Sequence, residues 1–224
     1  MNSEPLWTLM NVLYKSHPWH GIPVGEKSPE IVNTYIEVVP SDTVKYEIDK
    51  ITGHLKIDRP QKFSNICPCL YGFIPQTLCA EEIAQHCMTK TDYKKIIGDG
   101  DPLDICVLTE RDVSHGDILV KARPIGGLRM IDDNEADDKI IAVLDQDPIY
   151  DTYEDISDCP NKVIDRLIHY FKTYKAAPGE DHVPCEITDI YGRDEAMEII
   201  EKSKNDYSKR FSDIQGMLTA ALRG

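Results

Sequence analysis

Apolar positions follow two regimes along this chain. Between residues 31 and 144 they come in short runs of period two, broken by Pro, Gly or clusters of acids, and beyond Pro160 they recur every three to four residues. The first regime predicts strands over 33–39, 44–49, 55–59, 69–75, 103–108, 118–122, 128–131 and 140–144. In the second, Val163, Ile164, Leu167, Ile168 and Phe171 form one apolar helical stripe. Asp194 and Glu195 then open a C-terminal helix, 194–222, whose Ile199, Ile200, Tyr207, Phe211, Ile214, Leu218 and Leu222 face inward. Leu6, Leu9, Met10 and Leu13 have helical spacing within an N-terminal arm, 1–27, that becomes irregular through Pro18 and Pro23. Residues 79–97 are polar and mixed, with a helical turn at 81–84, and read as an excursion from the sheet.

Strands this short, bounded by Pro and Gly, predict antiparallel pairing that closes on itself. The expected plan is α+β and β-rich, a small closed β-barrel with flanking helices and a C-terminal helix, all in one domain over 1–224. Repeats and low-complexity tracts are absent.

Composition narrows the functions. With 41% apolar and 29% charged residues the chain is globular rather than disordered. Its 25 Lys and Arg against 39 Asp and Glu give a net charge of −14, which opposes nucleic acid and acidic membranes. An anionic substrate would need metal ions or a local basic pocket. Seven scattered Cys suit a reducing cytoplasm, and Cys67 and Cys69 are too closely spaced for a zinc knuckle. No signal peptide or transmembrane window is apparent, so the expected location is cytoplasmic. His17 and His20 in the arm have no acids beside them and read as bystanders.

The densest chemistry lies in residues 98–108. Asp99, Asp101 and Asp104 fall within six residues, on a glycine turn stiffened by Pro102 and on the strand it feeds. Leu103, Ile105 and Val107 alternate with Asp104 and Cys106, the pattern of a half-buried strand. A polar turn accounts for Asp99 and Asp101 but does not require the third acid inside the strand. An EF-hand loop fails because its glycine position is Asp104 and a strand follows where a helix should. Carboxylates held this close repel unless a cation or proton joins them, which points to a divalent-metal site. A second acid cluster, 132–138, sits between two strands; alone it is a solvated loop, but with the first it supplies another wall for cations, and Lys139 closes it. Likewise Lys45, Glu47, Asp49 and Lys50 alone read as the wet face of a sheet.

The stretch from Asp99 to Asp104 running into an apolar strand resembles the signature of soluble family I inorganic pyrophosphatases. Ile36 and Glu37, the run 45–50, Asp58 and Arg59, 71–74, 123–126 and 171–175 resemble that family's blocks in its order. The resemblance implies an OB-like barrel and a cytoplasmic homo-oligomer that uses Mg²⁺ to hydrolyse pyrophosphate to two orthophosphates by direct attack of water. Position by position it implies that Asp99, Asp104 and Asp137 bind the tightest Mg²⁺, that Asp104 helps hold a second ion, and that Asp132 with Asp137 holds ions arriving with substrate. Asp101 matches the general base. Lys45, Arg59, Tyr71, Lys139, Tyr174 and Lys175 match groups gripping the two phosphoryl units, and Glu37 and Glu47 match outer-site acids. Three features depart from the family pattern: Cys67 stands where many members have Tyr, and the 79–97 stretch and the N-terminal arm are longer than in compact bacterial forms. Two rivals are an aspartyl-nucleophile phosphatase, which expects its apolar strand before the acids, and a binding module without turnover.

Overall fold

The structure is a computed structural model that describes residues 15–175 and 185–211. The N-terminal apolar positions Leu6, Leu9, Met10 and Leu13, and the C-terminal Ile214, Leu218 and Leu222, lie outside the described residues.

Five strands close a ring. β1 (Val32–Val38), β4 (Leu70–Phe73), β6 (Asp104–Leu108), β9 (Lys139–Leu144) and β7 (Ile118–Asp132) pair in that order, and β7 pairs back onto β1. β2 (Val44–Ile48) and β3 (Leu55–Pro60) form a separate hairpin, while β5 (Ile97–Gly98) and β8 (Glu135–Ala136) add a short parallel pair. β10 (Cys185–Gly192), a strand outside the sequence expectations, lines up antiparallel with the second half of β7. Antiparallel pairing was expected throughout, yet β6 and β9 run parallel, Asp104 opposite Lys139 through Leu108 opposite Val143. Three helices cover the barrel among the described residues: α1 (Glu81–Lys90), α2 (Asn161–Thr173) and α3 (Arg193–Phe211).

Both faces of the central strands are covered. Ile105 and Val107 of β6, with Ile140 and Ala142 of β9, pack in one core beside Ile83, Ala84, Ile199 and Ile200 of α1 and α3. Cys106 and Leu108, with Ile141 and Val143, pack on the other side against Ile164, Leu167 and Phe171 of α2. Strand 103–108 is therefore buried on both sides rather than half-buried, as a parallel strand between helix layers must be. All seven cysteines are free and buried.

β7 corrects a second expectation. Pro124 and the glycines Gly126 and Gly127 suggest two strands, but one strand of 15 residues runs through them with a bulge between Pro124 and Gly126. The bulge absorbs the proline, which cannot donate to the ladder. The glycines admit β10: a Cβ on Gly126 would lie 2.5 Å from the Tyr191 carbonyl oxygen, and one on Gly127 would lie 2.4 Å from the Tyr191 ring.

The stretch 79–97 leaves the sheet, and the helical turn expected at 81–84 is a full helix there, α1, with Ile83, Ala84, His86 and Cys87 buried. No side chain of α1 caps its own N-terminus. Instead Asp206 of α3, 1% exposed, accepts hydrogen bonds from the backbone amides of Ala80 (3.1 Å), Glu82 (3.0 Å) and Ile83 (3.2 Å). An anion there satisfies orphan N–H groups and complements the helix dipole. The described part of the arm is also docked: Trp19 Nε1 donates to the Thr77 carbonyl at 2.7 Å, and His20 Nδ1 lies 2.9 Å from the Tyr207 hydroxyl of α3.

Replacing Asp206 by Ala strands three helix N-terminal amides, that of Ile83 buried and those of Ala80 and Glu82 partly so. The expected loss is roughly 2–3 kcal/mol of unfolding free energy in urea titrations, with the denaturant slope unchanged. Asp206→Asn, which keeps one acceptor, should lose less.

Candidate active site

One end of the barrel gathers the polar chemistry. Asp104 is the first residue of β6 and Lys139 the first of β9, so their parallel register sets them side by side. Asp132 ends β7, and Tyr71 reaches in from β4, paired with Cys106. Glu37 comes from β1, Lys45 and Glu47 from β2, Arg59 from β3, and Tyr174 and Lys175 follow α2. Together with Asp99, Asp101 and Asp137 these side chains line a single basin of about 230 Å³. All thirteen residues singled out in the sequence are in its wall.

Each basic group of the basin rests against a carboxylate. The Lys139 ammonium, 1% exposed as a residue, lies 2.5 Å from Asp104 Oδ2 and also contacts Asp137 Oδ1. Lys175 pairs with Asp132. Lys45 Nζ lies 3.4 Å from Asp58 and 3.5 Å from Glu47, and Arg59 Nη1 lies 2.6 Å from Asp58. Lys50 pairs with Asp101. Tyr71 donates its hydroxyl to Asp104 Oδ2 at 2.5 Å, fixing that carboxylate from the second side. The guanidinium of Arg59 sits 5.5 Å from the Tyr174 ring centroid, and its Nη2 is buried without a hydrogen-bond partner among the described residues. A buried guanidinium donor of this kind suits an oxygen of an anionic ligand.

The acids are strained by their burial. Burial, followed by the neighbouring Asp137 charge, pushes the Asp99 carboxyl up to about 8, and no basic side chain of the basin pairs with it. Burial also raises Asp137, outweighing Lys139. Burial opposes the Lys139 ammonium, but Asp104 and Asp137 more than offset it and keep it charged. Among the described residues no three carboxylates, thiols or imidazoles converge tightly enough to form a preassembled metal cage. The donor set still fits a hard cation: Asp99 is half-buried with no ion pair of its own among the described residues, Lys139 acting on it only from a distance, and every candidate ligand is an oxygen, as Mg²⁺ prefers. Here Lys139 supplies the positive charge that Asp104 and Asp137 require.

The inorganic pyrophosphatase family profile matches residues 34–208. This chain belongs to the inorganic pyrophosphatase family. It is 50% identical over 217 residues to the inorganic pyrophosphatase of Chlamydia caviae, covering 94% of this chain and 97% of that one. Soluble inorganic pyrophosphatase 1 of Arabidopsis thaliana is 34% identical over 209 residues, covering 93% and 88%. Among solved structures, the inorganic pyrophosphatase of Thermus thermophilus superposes with a TM-score of 0.71 at 34% identity, over 86% of this chain and 99% of that chain. The barrel with flanking helices is thus the fold of this family.

Three residues of the site escaped the sequence reading of roles. Lys50 reads there as wet sheet surface but contacts Asp101; Glu135, given no role of its own within the second acid cluster, lines the basin; Asp58 is outside the lining and holds both Lys45 and Arg59. The available signals were the resembling blocks for Lys50 and Asp58, and for Glu135 its place in the second acid cluster. Cys67 does not line the basin; its sulfur is buried 4.0 Å from that of Cys69.

Glu37 carries a test of the basin's electrostatics. It accepts a hydrogen bond from the Ile48 amide at 2.7 Å, and burial, outweighing that bond and Lys45, pushes its pKa up to about 8. The folded protein therefore holds this proton more tightly than the unfolded chain, where glutamate titrates near 4.3. Ionisation costs nothing below that value, and the penalty grows until the pH passes 8. In chelator-treated protein, Glu37→Gln should leave stability at pH 4 little changed and raise it by about 2–4 kcal/mol at pH 9. Urea unfolding at the two pH values measures the difference.

Proposed function

We propose that this chain hydrolyses inorganic pyrophosphate to two orthophosphates by direct attack of water, with Mg²⁺ as the metal. The observation that carries this reading is the alternation of charges in the basin: acids from 99–104 and 132–137 stand interleaved with Lys45, Arg59, Lys139 and Lys175. A diphosphate with its divalent cations suits such a surface. Phosphoryl oxygens take the ammonium and guanidinium groups, and the carboxylates those groups leave are free to hold cations. Asp99, Asp104, Asp132 and Asp137 would hold the metal, which supplies charge screening and a water acidic enough to attack at neutral pH.

The protein's own groups do the rest. Asp101 is the proposed general base and takes the proton from the attacking water. Its backbone amide donates to Asp99 Oδ1 at 2.8 Å, which ties the base to a metal-binding acid through a short, stiff turn. Lys45, Arg59, Lys139 and Lys175 hold the two phosphoryl units and stabilise charge on the departing phosphate. Burial pushes the Tyr174 hydroxyl up to about 12, so it stays protonated and donates to a phosphoryl oxygen, as Tyr71 does to Asp104. Glu37 and Glu47 form the outer acids.

Residues 1–224 are proposed to act as one domain within a cytoplasmic homo-oligomer; among the described residues no helix is long and apolar enough to cross a membrane.

Phosphate release from pyrophosphate, ATP and p-nitrophenyl phosphate, measured side by side with and without Mg²⁺, tests the proposal. Pyrophosphate should be the preferred substrate, and chelation should abolish turnover until Mg²⁺ is restored. Asp101→Asn should cost about 10²–10⁴ in kcat with an unchanged melting temperature. In ¹⁸O-labelled water the label should enter phosphate directly; a trapped aspartyl-phosphate would identify the nucleophile-type phosphatase instead.

A further inference from the structure

Lys50 lies outside the groups expected to bind phosphate, yet its position is as firmly built as theirs. It sits one residue into the β2–β3 turn. Asp49 Oδ1 accepts from the Thr52 amide and hydroxyl, both at 2.8 Å, and the Gly53 amide donates to the Asp49 carbonyl at 2.7 Å. Gly53 has φ +70°, and a Cβ there would lie 2.8 Å from Pro18 Cδ and 2.9 Å from the His17 ring. The docked arm therefore packs directly on the turn and fixes the point from which the Lys50 stem starts.

From that anchor the side chain reaches across the basin mouth to pair with Asp101, while 45% of it stays in contact with solvent. The other basic groups differ. Lys139 is sealed between two acids, and Lys45 and Arg59 share Asp58 behind the wall. Lys50 alone among the basin's basic groups rests on the acid proposed as base. Burial works against its ammonium, but Asp101, with Glu47 and Asp99 beyond it, keeps it charged.

We propose that Lys50 is a further phosphate-gripping residue, which holds the phosphoryl unit under attack from the solvent side of the basin. The inference rests on the pyrophosphate reading of this site. For Asp101 to accept a proton it must face the water rather than the ammonium, so Lys50 has to find another anion at that moment. The phosphoryl group next to the attacking water is the anion within reach of its flexible four-carbon stem. The contact is a charge-assisted hydrogen bond at the rim of the site, made in the bound substrate as well as in the transition state. It therefore belongs in KM rather than in kcat.

The experiment is steady-state hydrolysis of Mg-pyrophosphate by wild type, Lys50→Gln and Lys50→Arg, together with inhibition by orthophosphate. Turnover by the wild type establishes the underlying activity independently of these variants. Lys50→Gln should raise KM and the orthophosphate inhibition constant each by about five- to twentyfold, with kcat within twofold. Lys50→Arg should recover KM to within about threefold, since it restores the charge. Equal melting temperatures check that the turn still folds. A KM for Lys50→Gln within twofold of wild type overturns the inference. So does a loss confined to kcat, which would mean that Lys50 acts only by orienting Asp101.

Discussion

The structure depends on placing one ammonium between two carboxylates where water cannot screen them. Lys139, Asp104 and Asp137 meet at the end of the barrel because β6 and β9 run parallel and in register, which sets the first residue of one strand beside the first of the other. In water such contacts contribute little, but inside the fold each partner depends on the others for solvation. Removing Lys139 would leave two largely enclosed acids facing each other, with only the Tyr71 hydroxyl to solvate Asp104. The closed ring of strands supplies the rigidity that keeps this trio from relaxing into solvent.

From that constraint the character of the basin follows. Tyr71 fixes the far side of Asp104, Asp58 holds Lys45 and Arg59 from behind, and Lys175 meets Asp132 at the end of β7. The pocket carries its opposite charges as distinct ion pairs, so a ligand with its own anions and cations can exchange partners with it pair by pair. Charge can thus enter without a net cost in unpaired groups, and that property suits a metal-loaded diphosphate better than a lone phosphate or a lone metal.

Much of this was legible in the chain. Asp104 was informative because a turn does not need an acid inside the following strand, and the second acid cluster, with Lys139 at its end, was legible as another wall of the same site. The barrel was legible in the short alternating runs, and α2 in a stripe of apolar residues. The misses have physical causes. Parallel pairing of β6 with β9 is a long-range choice that short runs do not encode, and burial of both faces followed from helices elsewhere in the chain. Pro124 hid the continuity of β7 because a bulge can accommodate what a regular ladder cannot. α1 was obscured because its N-terminal partner, Asp206, lies more than a hundred residues away. Lys50 was overlooked because a lysine on a hairpin looks solvated until its partner is seen.

That distant carboxylate also bears on how the molecule is assembled during synthesis. The ring of strands is complete once Leu144 has emerged, since β1, β4, β6, β7 and β9 all precede that point. The leading amides of α1, in contrast, wait for a side chain on the final described helix. A partly made chain can therefore close its barrel while the helical lid over one core is still unsecured, and an early stop in translation would leave Ile83, Ala84 and Cys87 open to the chaperones that patrol nascent chains.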